Sequence, residues 1–435
     1  MVEPVIVPRA EHTISRRDID PDALKVLYRL QQANHAAYLV GGGVRDLLLG
    51  RRPKDFDIGT SAHPYEVKKL FRNCWIIGRR FRLAHVKFGT KIIEVATFRR
   101  NVPDPLPDAS TDEAEVVASS PAVTQDGIIR RDNTFGTPEE DAFRRDFTVN
   151  ALFYDIATYS IIDYVGGLQD LEARVLRSIG DPLVRFVEDP VRMFRAAVLS
   201  ARLGFTLDPL VRSAIGELAP LIAKASPARL LEEYYKILRS GYAEASFRSL
   251  HELGLLGLMT PELSDPSDAV WDSLARLDAW RRHFEAPPAE LTNAILIGAL
   301  LAPLGLVTRR QPGASTETRV QIGMLPIARR DIDRLSQVLT LGPRLTDPDL
   351  PPRLTRGLPQ RPAFRDTLLW VDIFGDAPEA VAHWTTVAAS AATQPRGDSG
   401  AEDSAPAGEG TGRRRRRRRR GRRRGRGASA KVTGE

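Results

Sequence analysis

The stretch LVGGGVRDLLLGRRPKDFDIGTS, residues 39–61, constrains the fold more tightly than any other part of the chain. Three consecutive glycines, Gly41 to Gly43, separate the β-prone run AAYLV from VRDLLLG, which reads as a helix. The backbone must therefore leave a strand, turn within three residues and begin a helix, a path that glycine permits and bulkier residues resist. The next β-prone run, DFDIG, carries two acids one residue apart. Read as a strand, it points Asp55 and Asp57 to one face and Phe56 to the core.

Two adjacent carboxylates repel, and a hard divalent cation removes the repulsion. Magnesium prefers oxygen ligands and often uses one or two carboxylates together with substrate phosphates. Taken alone, D-x-D is common and reads more readily as a surface acidic pair. The glycines favour the site: glycine backbone approaches phosphates closely, and a helix N-terminus adds favourable partial charge. Arg45, in the first turn, is placed to clamp a phosphate oxygen. The pattern is neither a P-loop, since no G-K-[ST] follows, nor G-x-G-x-x-G. Farther on, KIIEVATF sets Glu94 between apolar neighbours on a strand, where an unpaired charge is costly unless it coordinates something. A Glu on a half-exposed sheet face is the plainer alternative.

The surrounding pattern is α/β. PYEVKKLFRN reads as an amphipathic helix opening at Pro64, and CWIIG, AHVKFG and KIIEVATF as strands of a small, mostly antiparallel sheet. Residues 101–126 are acidic, proline-rich and aperiodic, and are expected to form a mobile loop. From about Asp170 the apolar residues recur at three and four, with Pro and Gly at the joints, which predicts helices. The expected organisation is an N-terminal extension (1–30), an α/β head (31–168), an all-α neck (169–242), an all-α body (243–393) and a disordered Arg-rich tail (394–435).

Charge is distributed unevenly. The first 400 residues hold 50 basic and 51 acidic groups, whereas from residue 401 onward 12 Arg and 1 Lys face 4 acids. GRRRRRRRRGRRRGRGASAK has nothing apolar to bury, so it predicts a disordered tail that binds phosphate backbones by counterion release. A solubilising tail is the alternative. With one cysteine, Cys74, no intrachain disulfide forms, which fits a reducing cytoplasm. No apolar run approaches the ~18 residues of a membrane span, and the N-terminus lacks a secretory apolar core. Seven scattered histidines argue against structural zinc. Nothing in the sequence sets the oligomeric state; a monomer is the default expectation.

G-G-x-V-R-D-x-L-L-G, then D-F-D, I-E-V, RRDFTVNALFYD and EDPVRMFRA, in that order, resemble the class II nucleotidyltransferases, which comprise tRNA CCA-adding enzymes and bacterial poly(A) polymerases. IIGRRFRLAHV, residues 76–86, is similar to the segment that marks the poly(A) polymerase branch. The resemblance spans about residues 30–250. It implies that Asp55, Asp57 and Glu94 hold two magnesium ions and that Gly41, Gly42 and Arg45 hold the triphosphate of ATP. Arg144, Arg145, Asp146 and Asn150 match the motif around ribose and phosphates, with Asp146 counted among the essential acids. Glu188, Asp189, Arg192 and Arg195 match the motif that reads the base.

Without the resemblance, Asp189-Pro190 is a helix start and Glu188–Arg192 an ordinary i,i+4 pair. One accepting Asp and one donating Arg suit adenine and cytosine alike and reject guanine and uracil, so pocket shape must separate A from C. The implied reaction is transfer of AMP from ATP to RNA 3′ ends (mRNA, and tRNA as a further substrate) with release of pyrophosphate. A tRNA nucleotidyltransferase adding CCA shares these residues, and a non-catalytic RNA-binding protein is the third reading, which the intact acids disfavour.

Overall fold

The structure, a computed structural model, describes residues 3–78, 82–100, 135–307, 320–351, 355 and 357–393. The loop expected at 101–126 and the tail expected at 394–435 lie outside the described residues, as do Arg79, Arg80 and Phe81 of the GRRFRLAHV segment.

Eight strands form one sheet: β1 (Val5–Val7), β2 (Ala37–Val40), β3 (Asp57–Thr60), β4 (Cys74–Ile77), β5 (Leu83–Phe88), β6 (Lys91–Thr97), β7 (Leu152–Asp155) and β8 (Ser160–Asp163). Their spatial order is β1-β8-β7-β2-β3-β6-β5-β4. Within this sheet, among the described residues, only β3 and β6 run parallel and every other pair is antiparallel; a separate two-stranded parallel pair joins Val175–Leu176 to Thr206–Leu207. The mixed, mostly antiparallel head expected from the sequence is the head observed.

Side-chain alternation explains how the sheet is covered. Ala84 and Val86 of β5 and Ile93 and Val95 of β6 are buried in the main core, while their strand neighbours lie on the opposite face. Helix α1 (Pro21–Gln32) supplies Ala23, Val26, Leu27 and Leu30 to that core. Asp20 starts α1 by accepting the backbone N–H groups of Asp22 (2.8 Å) and Ala23 (3.3 Å), with Pro21 at the first helical position. The stretch read as an N-terminal extension thus adds an edge strand and a packed helix to the head.

One expectation is corrected here. Strand β3 begins at Asp57, so Asp55 precedes it and strand periodicity does not set the direction of its side chain. The backbone from Arg51 to Phe56 is irregular because Pro53 interrupts it, and pairing with β2 starts only at Val40 opposite Asp57.

Short helices α2 (Gly42–Leu48), α3 (Pro64–Leu70), α4 (Pro138–Arg144) and α5 (Gly167–Ala173) connect the strands. Helices follow: α6 (Pro182–Glu188), α7 (Val191–Leu203), α8 (Pro209–Leu218), α9 (Pro227–Leu238) and α10 (Ala243–Glu252). After them come α11 (Leu256–Met259), α12 (Asp268–Arg281), α13 (Asn293–Leu301), α14 (Arg329–Leu345), α15 (Phe364–Phe374) and α16 (Pro378–Thr393). The ILIGALL run of α13 is buried all round, which is why its sequence shows no polar face. Among the described residues no helix is long and apolar enough to cross a membrane. Cys74 is free and buried.

Candidate active site

A cleft of about 670 Å³ opens between the α2 turn, the start of β3, the α4–β7 connection and helices α7 and α9. Eleven of the residues singled out in the sequence line it: Gly41, Gly42, Arg45, Asp57, Arg144, Arg145, Asp146, Asn150, Asp189, Arg192 and Arg195. Asp55 and Glu94 stand beside it. Strands β3 and β6 run parallel with Ile58 opposite Val95, so Glu94 neighbours Asp57 on the same face.

Burial, then Glu94, then Asp55 push the Asp57 carboxyl up to about 6, against a smaller opposing effect of Arg145. Burial and Asp55 likewise raise Glu94. Negative charge is therefore concentrated here and only partly offset by Arg145 and Lys236, although Asp57 itself is open to solvent within the cleft. Among the described residues no three acidic, histidine or cysteine side chains converge closely enough to make a ready metal cage. The donors are nevertheless hard carboxylate oxygens carrying only partly compensated charge, which fits magnesium completing its shell with substrate phosphates and water.

Each remaining residue is placed by its contacts. Gly41 has φ +75° and ψ −137°, a conformation open to glycine, and a Cβ there would stand 3.0 Å from Arg145 Nη1. Arg45 is only 2 % exposed. Its Nε and Nη2 donate to Asp46 Oδ1 at 2.8 and 2.7 Å, and its Nη1 donates to Asn150 Oδ1. The expected phosphate clamp is thus anchored to protein partners and holds Asn150 in place.

Arg145 donates to Asp141 Oδ2 (3.1 and 2.9 Å) and to the Asn150 carbonyl (3.2 Å); Arg144 stands 3.6 Å from Asp141. Asp146 is buried. Burial alone would raise its pKa, but Arg195, at 2.7 Å from Oδ2, together with Asn150 and Arg192, holds the carboxyl below its ordinary range. Asp146 Oδ1 also accepts the Phe147 N–H at 2.9 Å.

The residues expected to read the base are arranged differently from a simple pair. Arg192 donates to Glu188 Oε2 (2.8 Å) and to the Arg185 carbonyl (3.0 Å), so the i,i+4 pair is present. Asp189 accepts both terminal nitrogens of Arg229, at 2.9 and 2.7 Å, and the Val191 N–H at 3.2 Å. Arg229 lies forty residues downstream on α9 and escaped the sequence reading, as did Arg202 and Lys236. A lone Arg in PARLLEE carries no local signal; the only hint was a cation in the first turn, which the helix dipole disfavours. Eight cations against Asp57, Asp146, Asp189 and Glu233 make the lining strongly positive, as a polyphosphate requires.

This layout can be compared with known proteins. Residues 37–177 match the family model of the poly A polymerase head domain, and residues 204–265 match one described as a probable RNA and SrmB-binding site of polymerase A. The chain is 50% identical over 259 residues to poly(A) polymerase I of Salmonella typhi, covering 60% of this chain and 54% of that one. It is 45% identical over 271 residues to poly(A) polymerase I of Haemophilus influenzae, covering 62% and 58%. The chain is thus similar to poly(A) polymerases over its amino-terminal part, at 45–50% identity. A CCA-adding enzyme of a Geobacillus strain is less similar, 38% identical over 259 residues, or 60% of this chain and 58% of that one. Among solved structures, the CCA-adding enzyme of Bacillus stearothermophilus in complex with CTP superposes with TM-score 0.60 at 27% identity, over 86% of this chain and 83% of that one. The chain spans a little over half the length of the poly(A) polymerases it matches.

Proposed function

We propose that the chain transfers AMP from ATP to the 3′-hydroxyl of RNA, a template-independent polyadenylation that releases pyrophosphate. The observation that carries the reading is the convergence, in one cationic cleft, of the glycine turn, the acid-bearing strand and the Asp189 and Arg192 pair. Greater identity to poly(A) polymerases than to CCA-adding enzymes supports adenylate over cytidylate addition.

In this reading Gly41 and Gly42 admit the triphosphate close to the backbone, and Arg144 and Arg145 neutralise its oxygens. Arg195 and Asn150 hold Asp146 in a fixed, charged form, so that Asp146 positions the cations around the ribose. Asp189 accepts from the adenine amino group and Arg192 donates to the ring nitrogen. Asp55, Asp57 and Glu94 would hold magnesium, which when bound supplies charge neutralisation and lowers the pKa of the attacking hydroxyl. The attack of O3′ on the α-phosphorus forms one P–O bond and breaks another, with pyrophosphate as leaving group. Positioning and charge neutralisation supply most of the rate.

The test is incubation of the purified chain with magnesium, labelled ATP or CTP, and either oligoadenylate or tRNA lacking its 3′ end. Long adenylate products on oligoadenylate are expected. CTP incorporation confined to the truncated tRNA would replace this reading with CCA addition.

A further inference from the structure

The face of the sheet that carries the acids does not stop at them. Trp75 of β4 pairs with His85 of β5, and His85 pairs with Glu94 of β6. Directly paired residues point to the same face, so Asp57, Glu94, His85 and Trp75 form one row across four strands. His85 Nε2 lies 3.6 Å from Glu94 Oε2, as that row requires. With strands about 4.8 Å apart, Trp75 stands roughly 14 Å from Asp57.

The opposite face of these strands is core, so this one should be polar where it meets solvent. Asp57, Glu94, His85 and Lys87 follow that rule, but large apolar side chains stand among them. Trp75 (37 % exposed), Ile77 (43 %) and Ile92 (46 %) share this face with the partly buried Leu83. The patch is continuous with the acids at one end and reaches the sheet edge at the other. On the same face Lys87 of β5, two residues beyond His85 and paired with Ile92, is exposed. An aromatic platform beside a cation is what single-stranded nucleic acid takes: a base stacks on the ring while the cation meets the phosphate.

We propose that Trp75, flanked by Ile77 and Ile92, seats a base of the RNA upstream of its 3′ end, with the strand running along the His85 row toward the acids. The proposal rests on the polymerase reading above, since that reading puts the RNA 3′-hydroxyl at Asp57. At this distance the seated base is an internal one, not the reacting nucleotide.

The experiment titrates the full chain, without nucleotide or metal, into short oligoadenylates carrying 2-aminopurine at each of the last four positions in turn. Quenching is expected at an internal position and not at the terminal one. Trp75→Ala should abolish the quench and weaken binding about tenfold, on the order of one lost stacked base. The salt dependence should stay unchanged, because stacking releases no counterions. Trp75→Phe should keep both, and Ile92→Ala should weaken binding in the same direction. In AMP transfer, Trp75→Ala should raise KM for RNA and leave kcat and KM for ATP as they are.

A quench that survives Trp75→Ala overturns the proposal. So does unchanged RNA affinity with a lowered melting temperature, which would mean that protein covers this face. Should the chain transfer no AMP at all, the polymerase reading fails, while the quench titration still decides the seat.

Discussion

At the scale of single residues, the site is a set of charges whose balance is set by neighbours. Asp57 is raised to about 6 by burial, Glu94 and Asp55, whereas a free Asp titrates near 4. A raised folded pKa means that the fold favours the protonated form. Stability from this group is therefore full below pH ~4 and is lost as pH rises through about 6. Asp57→Asn should accordingly raise the melting temperature of the metal-free chain at pH 7, with the difference shrinking toward pH 4. The same substitution should remove nucleotide addition; a tenth of normal activity surviving with magnesium would refute the metal assignment.

Asp189 presents the second case. Its two oxygens are held by Arg229, so Arg229→Ala leaves the carboxylate with only the Val191 N–H to orient it. Both Arg229→Ala and Asp189→Ala should lower the preference for ATP over GTP and UTP by about tenfold, and the double variant should be little worse than either single one. Equal loss with all four nucleotides, accompanied by a lower melting temperature, would make the pair a structural strut instead.

At the scale of elements, turns and caps decide where the site residues stand. Gly41→Ala would hold a side chain at φ +75° and press its Cβ on Arg145. A strained backbone position of this kind costs about 1–3 kcal/mol. Displacement of Arg145 should raise KM for ATP more than it lowers kcat, which steady-state kinetics at saturating RNA will read. Asp163, at the end of β8, has another task. Its carboxylate accepts the backbone N–H groups of Val165, Gly166, Gly167 and Leu168, at 3.0, 3.0, 3.0 and 2.8 Å, and so starts α5. Asp163→Ala leaves these donors without that acceptor in a partly buried turn. A loss of about 3 kcal/mol is expected in denaturant unfolding, with retained activity in the fraction that remains folded.

At the scale of the whole molecule, the near-neutral first 400 residues contrast with the twelve arginines beyond them. Long-range attraction for RNA should therefore come mainly from residues 401–435. Deleting them is expected to raise KM for RNA and to flatten the salt dependence of binding, by about 0.7 in log–log slope for each phosphate that the tail no longer neutralises. Saturating turnover with ATP should change little. An unchanged slope would leave RNA binding entirely to the head and helices.

What the sequence determined by itself is local. Glycines between a β-prone and a helical run announce the α2 turn, because few residues take that path. Alternation in AHVKFG and KIIEVATF gives β5 and β6, and with them the face on which Glu94 lies. Helical periodicity with Pro and Gly at the joints gives α7 and α9. Each of these signals acts within one or two turns of chain. Asp55 misled at the same range: periodicity was extended to a residue that lies before its strand begins.

Tertiary structure alone decided the rest. The bond between Asp189 and Arg229 joins two helices across forty residues, and nothing near either residue encodes the other. The turning inward of Arg45 depends on Asn150, over a hundred residues away. The row from Asp57 to Trp75 exists only through strand register, since a shift of one residue in β4 would send Trp75 into the core and Cys74 to the surface. Short-range sterics and hydrophobic period are written in neighbouring residues. Which charges meet, and which faces line up, depends on how distant elements pack.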